Sequence, residues 1–239
     1  MQEKLFVVIP AYNESENIEK TISEWYPIVE KHQCNGQSRL VIVDDGSKDD
    51  TYKIIRKSAE DKPLIIPLTK ENGGHGQTVI YAYNYAIAND ADWIFQTDSD
   101  GQTDPAEFEK FWHIRNDYDA IIGSRPNRQD GWSRKFVEKT LLMILRLTFG
   151  VRMPDSNAPF RLMKRELVEK YISKLPKDFN LPNVMLTTYF TYFNERIKFI
   201  DISFKPRQGG VNSINIKRIT KIGLKAVKDF HQLKKTINK

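Results

Sequence analysis

Five short apolar runs, separated by amphipathic stretches, constrain this chain more than any other feature of it. They are Leu5–Ile9, Leu40–Val43, Leu64–Leu68, Trp93–Thr97 and Ala120–Ile122. Runs this short, apolar at consecutive positions, read as strands buried on both faces. Between them the sequence predicts helices over Asn17–Glu30, from Thr51, from the Gly76 turn to about Asn89, and near Ala106–Asp117. Ser15, Asp49 or Asp50, and Thr103 or Asp104 stand where helix caps are expected, and Pro105 where a first helical position is expected. Such alternation gives an α/β fold: a doubly wound, mostly parallel sheet with flanking helices. Polar residues gather where the strands end, at Tyr12–Glu14, Asp44–Asp45, Asp98–Gln102 and Ser124–Arg125. Ligands of open α/β sheets sit beyond the carboxyl ends of the strands, so these clusters are expected to converge on one crevice.

The most chemically loaded of these ends is WIFQTDSDGQTDP, residues 93–105. In extended chain, residues two apart point the same way, which puts the carboxylates of Asp98 and Asp100 on one side. Two such groups repel unless donors or a cation compensate them. A hard divalent ion, Mg2+ or Mn2+, is the simplest compensation and brings phosphates with it. An acidic turn that caps the following helix is the structural alternative.

Composition narrows the rest. A 239-residue chain with 40% hydrophobic and 28% charged residues is of ordinary globular make-up. Its longest apolar run, Leu141–Leu145, stops at Arg146, far short of the roughly 18 residues of a membrane span. The first residues lead directly into a strand without a leader pattern, and the single Cys34 excludes an internal disulfide, so a cytoplasmic setting is expected. The net charge of +6 belongs to the tail: from Val211 to Lys239 there are eight Lys or Arg and one acid, leaving the body close to neutral. Nothing in the body therefore favours nucleic acid. Neither a Walker loop nor GxGxxG follows the first strand. The glycines at 73, 74 and 76 serve either a ligand or a turn, and His75 reads as a loop residue.

Taken in order, PAYNE at 10–14, DDGSKDDT at 44–51, NGGHG at 72–76, DSDGQTDP at 98–105 and GSR at 123–125 resemble the inverting family 2 glycosyltransferases of GT-A fold. Within that family they are most similar to the dolichol-phosphate mannose synthase branch, which moves sugar from a nucleotide diphosphate to a polyprenyl phosphate. The resemblance covers about residues 4–210, leaving 211–239 as a basic C-terminal helix. It implies that Pro10, Tyr12 and Glu14 lie against the base and ribose and that Asp44 and Asp45 hold the same part, unless these two only shape a turn. It implies a metal and nucleotide role for Asp98 and Asp100, with Gln102 as a further metal-shell candidate.

Asp155, in PDSNAPFR, resembles the acidic residue of the family's Asp-x-x-Ser-Gly-Phe-Arg stretch, with Pro159 in the glycine position. A sugar-hydroxyl acceptor needs such a carboxylate as base; a phosphate acceptor is already ionised, and Asp155 is then positional, for example paired with Arg161. Arg125 and Arg134 match the two arginines that clamp the acceptor phosphate, a task that suits the guanidinium fork; a solvated basic loop is the other reading. Arg207 resembles the arginine that reaches the donor diphosphate from a movable loop.

The resemblance also implies a place at a membrane. Phe136–Phe149 is either an amphipathic helix on the bilayer or a core helix. In the tail, Ile219, Ile222, Ala226, Val227, Phe230, Leu233 and Ile237 fall on one face of a helix with Lys217, Lys221, Lys225, Lys228 and Lys235 mostly elsewhere. That pattern suits an anionic membrane surface or packing on the domain. The expected function is thus transfer of a hexose from a UDP- or GDP-sugar to a polyprenyl phosphate, by a protein peripheral on the cytoplasmic face. A glycan hydroxyl acceptor and a non-catalytic nucleotide-sugar-binding role are the alternatives.

Overall fold

The computed structural model describes residues 3–126, 132–205 and 227–235, with side chains from Val137 onward in the second segment. The main elements follow in chain order: β1 (Leu5–Ala11), α1 (Ile18–Lys31), β2 (Arg39–Asp44), α2 (Thr51–Asp61), β3 (Ile65–Thr69), α3 (His75–Ala88), β4 (Trp93–Thr97), α4 (Phe108–His113), β5 (Ala120–Ser124), α5 (Trp132–Phe149), β6 (Phe160–Lys164), α6 (Arg165–Ile172), α7 (Pro182–Tyr192) and β7 (Ile197–Asp201). Residues 227–235 form a further helical segment. The strands make one sheet in the order β3-β2-β1-β4-β6-β5-β7. All pairings are parallel except those of β6, which runs against β4 and β5.

Both faces of the sheet are covered, which is why its strands read as unbroken apolar runs. Alternate residues serve alternate cores. Phe6, Val8, Val41, Val43 and Ile94 face the layer built with α3, α6 and α7. Leu5, Val7, Ile9, Leu40, Ile42 and Phe95 face the layer with Trp25 of α1 and Phe108 and Phe111 of α4. Trp25, Phe95, Phe108 and Phe160 pack there with ring centroids 4.7–6.4 Å apart.

The five expected strands all form. The helix ends differ in detail. Asn17, not Ser15, stands at the start of α1, and the Ser15 N–H instead donates to Asp49. Asp49 also accepts from the Thr51 N–H at the start of α2, and Asp104 accepts from the Ala106 N–H at the Pro105–Glu107 turn. The helix expected near Ala106–Asp117 is broken into α4 between two 3-10 turns. β6, α6, α7 and β7 were not anticipated.

The tail reading changes more. Phe230 and Leu233 are buried in the first core, Phe230 lies 6.5 Å from the Phe149 ring, and Lys234 Nζ donates to the Thr148 carbonyl. These apolar residues are spent on the domain, so this part of the tail has no apolar stripe left for a bilayer. Ile219, Ile222, Ala226, Ile237, Lys217, Lys221 and Lys225 lie outside the described residues.

At the end of the sheet away from the strand termini that carry the polar clusters, Asp119 fastens three strands. It accepts from Arg196 (2.7 and 3.0 Å) before β7 and from Lys164 (2.9 Å) at the end of β6. The Arg196 hydrogen bond, helped by Lys164, holds the Asp119 carboxyl below the usual carboxylate range. A depressed carboxyl is protonated first in the unfolded chain, so its contribution is full above about pH 4 and is lost as pH falls through the depressed value. Urea midpoints of the native protein and Asp119→Asn are expected to differ at pH 6 and to converge toward pH 3; a constant difference would show that the clamp is not ionic.

Candidate active site

The strand order reverses beside β1. The chain steps outward from β1 to β2 and β3, then crosses back to lay β4 on the other side of β1. Carboxyl ends on either side of such a reversal leave a crevice. Pro10, Tyr12 and Glu14 approach it from β1, Asp44 and Asp45 from β2, and Asp98 and Asp100 from β4.

At the β1 end, Pro10 and Glu14 are buried while Tyr12 is exposed. Asn13 takes a left-handed backbone conformation (φ 52°), its N–H donating to Ser47 Oγ and its Oδ1 accepting from the Lys48 N–H. Glu14 is folded inward: its N–H donates to Thr51 Oγ1 (2.8 Å) and its Oε2 accepts from Asn17 Nδ2 (2.8 Å). Of these three nucleotide candidates, Tyr12 therefore offers the open surface.

The β2 aspartates are engaged by the protein itself. Asp44 accepts from Thr69 Oγ1 (2.8 Å) and the Ser47 N–H. Both oxygens of Asp45 are taken, by Lys70 Nζ and the N–H groups of Gly73 and Gly74 (2.9 Å each). The glycine stretch is thereby explained as a turn organised on Asp45. Gly74 has φ 87°, and a Cβ on Gly76 would lie 2.5 Å from the Asn180 main chain, so α3 starts pressed against the segment before α7. This turn also brings His75 Nε2 to 3.8 Å from Asp98 Oδ1, which sequence position alone did not suggest.

Asp98 and Asp100 are both partly exposed at the β4 end. Asp98 Oδ1 accepts from Gln96 Nε2 (3.0 Å), and Asp100 Oδ1 from the Gln102 N–H (3.1 Å). Gln102 is buried, and its Nε2 donates to the Lys205 carbonyl (3.0 Å) while the Lys205 N–H donates back to the Gln102 carbonyl (2.8 Å). Its amide nitrogen thus ties down the segment after β7 at Lys205. Two carboxylates at an open strand end are hard oxygen donors of the kind Mg2+ and Mn2+ select. Among the described residues no group of three or more His, Cys, Asp or Glu is placed to hold a metal alone. A cation at Asp98 and Asp100 would complete its shell with diphosphate oxygens and water, as hard cations at phosphate sites do.

At the β5 end, Arg125 and Asp155 form a buried bidentate pair, Nε to Oδ2 2.7 Å and Nη2 to Oδ1 3.1 Å. Asp155 Oδ1 also accepts from the Asn157 N–H, and the Phe204 ring covers the Arg125 guanidinium at 4.9 Å. The expected partner of Asp155, Arg161, is committed elsewhere: it donates to the carbonyls of Ala158 and Asn183 and to Thr187 Oγ1. Arg134 belongs to the first turn of α5 with its side chain outside the described residues, as are Arg128 and Arg207.

The sheet thus carries at one end a partly exposed carboxylate pair, Asp98 and Asp100, and a buried arginine–carboxylate pair, Arg125 and Asp155. The chain belongs to glycosyl transferase family 2, whose model matches residues 6–172. It is 30% identical over 169 residues to an undecaprenyl-phosphate 4-deoxy-4-formamido-L-arabinose transferase of Proteus mirabilis, a match covering 70% of this chain and 50% of that protein. It is 26% identical over 216 residues to the protein of the same description from Pectobacterium carotovorum, covering 89% and 63%. The chain thus spans about half to two-thirds of the length of these relatives. Among solved structures, glucosyl-3-phosphoglycerate synthase from Mycobacterium tuberculosis, in complex with Mn2+, UDP-glucose and phosphoglyceric acid, superposes with a TM-score of 0.71 at 18% identity, covering 97% of this chain and 80% of that one. The fold is accordingly the GT-A type that the motifs led one to expect.

Removing one member of a buried ion pair strands the other charge. Asp155→Asn is expected to cost about 3–5 kcal/mol of stability, and the double substitution R125M/D155L to recover most of it. Urea unfolding of the single and double variants checks this; additive losses would mean that the two residues are not coupled.

Proposed function

We propose that this glycosyltransferase moves a hexose from a nucleoside-diphosphate sugar, UDP- or GDP-linked, to a polyprenyl phosphate at an anionic membrane surface, with inversion at the anomeric carbon. The observation that carries the acceptor is the state of Asp155. A hydroxyl acceptor needs a carboxylate free to take its proton. Both oxygens of Asp155 are engaged by Arg125 in a buried pair, so this residue serves poorly as a base. A phosphate monoester, with a second pKa of about 6, is already an oxyanion at neutral pH and needs no base. Arg125, oriented by Asp155 and stacked on Phe204, then presents a fixed positive charge at the acceptor side, with Arg134 supplied from the start of α5. The names of the relatives agree with a lipid-phosphate acceptor.

On the donor side, Tyr12 offers a surface for the base, and Asp44 and Asp45 fix the turns around it. Asp98 and Asp100 would hold Mg2+ or Mn2+. When bound, that cation neutralises the charge that develops on the departing diphosphate. Arg207 would add a further positive charge there.

The membrane side falls to α5. Its inner residues Leu145 and Phe149 are in the core, while Val137, Met143 and Leu147 are exposed beside Lys139 and Arg146. No helix among the described residues is long and apolar enough to cross a membrane. An apolar strip flanked by basic residues suits the headgroup region instead.

Incubation with radiolabelled UDP- and GDP-sugars, Mn2+ and a short polyprenyl phosphate tests the reading. Lipid-extractable label is expected with one donor class, abolished by chelator and reduced about 100-fold or more in Asp98→Asn. Label passing only to free saccharides would overturn the acceptor assignment. Separately, M143E/L147E is expected to lose binding to anionic vesicles while retaining turnover with a detergent-solubilised acceptor; unchanged vesicle binding would remove α5 from the membrane contact.

A further inference from the structure

Beneath Asp98 the core contains a run of polar side chains that neither the motifs nor the proposed chemistry requires. Gln96 of β4, Tyr83 of α3 and Arg161 of β6 are fully buried, and Asn183 of α7 nearly so, although they lie within the apolar layer formed by α3, α6 and α7. Each would cost on the order of 1–3 kcal/mol if its polar atoms went unpaired. They are paired, and in one direction. Tyr83 OH donates to Asn183 Oδ1 (2.8 Å), Asn183 Nδ2 donates to Gln96 Oε1 (2.8 Å), and Gln96 Nε2 donates to Asp98 Oδ1 (3.0 Å).

The direction is fixed at the Asp98 end. A carboxylate only accepts, so Gln96 turns its nitrogen to Asp98 and its oxygen to Asn183. Asn183 must then give its nitrogen to Gln96 and its oxygen to Tyr83, whose phenol is pushed up by burial, keeps its proton and donates. Reversing either amide would set oxygen against oxygen and N–H against N–H, and at the Gln96 end an amide oxygen against a carboxylate. The Asn183 main chain is held as well, its carbonyl accepting from Arg161 Nη1 (3.1 Å) and Thr187 Oγ1 (2.9 Å).

We propose that Tyr83, Asn183 and Gln96 are positioning residues: a buried, unidirectional hydrogen-bond relay that pins Asp98 Oδ1 to the core and so leaves Oδ2 as the oxygen presented to the cation and diphosphate of the donor. The proposal rests on the donor side of the function proposed above. Replacing residues that hold a metal ligand in place typically costs 10- to 100-fold in metal affinity or activity. Arg161 adds a fixed positive charge beneath the same strand end, where Asp98, Asp100 and a diphosphate would gather negative charge.

Two measurements on the full chain test this. The first needs no ligand: the side-chain amide protons of Gln96, assigned by their disappearance in Gln96→Met, are expected to exchange slowly in the native protein and at least 10-fold faster in Tyr83→Phe and in Asp98→Ala, with the β4 backbone amides still protected. The second is calorimetry with UDP and with GDP, each with and without Mn2+. Gln96→Met is expected to lose about 10-fold or more of the cation-dependent affinity and none of the cation-independent affinity. A merely structural role would lower both together, and that result overturns the proposal, as does a Gln96 amide indifferent to Tyr83 and Asp98. If the native protein takes up no nucleotide with Mn2+, the donor reading falls, and the amide exchange alone then decides whether the relay exists.

Discussion

A strand buried on both faces has no cheap place for a polar side chain, and this constraint organises the molecule. β1 and β4 lie at the centre of the sheet, covered by helices above and below, and every residue of both is buried. Polar groups can sit at their carboxyl ends, where the strand order reverses and water or a ligand has access. Inside the sheet they must be satisfied by the protein. Gln96 and Thr97 are the two residues of β4 that face this demand: Gln96 is met by Asn183 and Asp98, and Thr97 by Thr103. The transition from apolar strand to acidic loop is therefore graded, with an amide and a hydroxyl standing between Phe95 and Asp98.

The same logic governs charge. Arg161 is wholly buried and makes its direct contacts with neutral oxygens, a costly arrangement that lowers its pKa through desolvation. It is offset by the electrostatic attraction of Asp155 and Asp98. Arg125 and Asp155 solve the problem differently, by direct pairing. Arg161 thus keeps a positive charge beneath the strand ends, while the charge of Arg125 is balanced within its pair. Buried ion pairs are poor devices for stability alone. Their position at the strand ends, rather than deeper in the core, fits a role in binding.

How much of this was legible in the sequence follows from the physics of each element. β1 to β5 were readable because burial on both faces writes a continuous apolar run. β6 was not, because FRLMK carries a buried arginine at its second position and resembles a surface segment until Arg161 is seen capped by carbonyls. α7, PNVMLTTYFTY, is buried nearly all round, so it has no amphipathic period to detect. The acidic end of β4 at Asp98 and Asp100 was legible as a polar cluster that follows a buried apolar run. Long-range partners were beyond reach: nothing local says that Asp155 joins Arg125, thirty positions away, rather than Arg161, six away. The choice is made by the sheet, in which β6 runs antiparallel between β4 and β5 and carries Arg161 toward α7.

The tail shows the limit of pattern reading most clearly. A helix with apolar residues on one face and lysines on the other satisfies two environments equally well, because a bilayer and a protein core reward the same stripe. The deciding quantity is what surface is left uncovered elsewhere. α5 turns Leu145, Thr148 and Phe149 inward, leaving a place beside Phe149 that Phe230 and Leu233 fill. The outward residues of the same helix, Met143 and Leu147, have no such cover within the described chain and are 56% and 78% exposed. Under the function proposed above, the exposed apolar residues of α5 are the surface that would meet a lipid, and in the chain α5 follows the strand end that carries Arg125. A polyprenyl phosphate arriving along that helix would bring its charged end to the arginine while its chain stayed in the membrane, so one helix would serve both for attachment and for delivery of the acceptor.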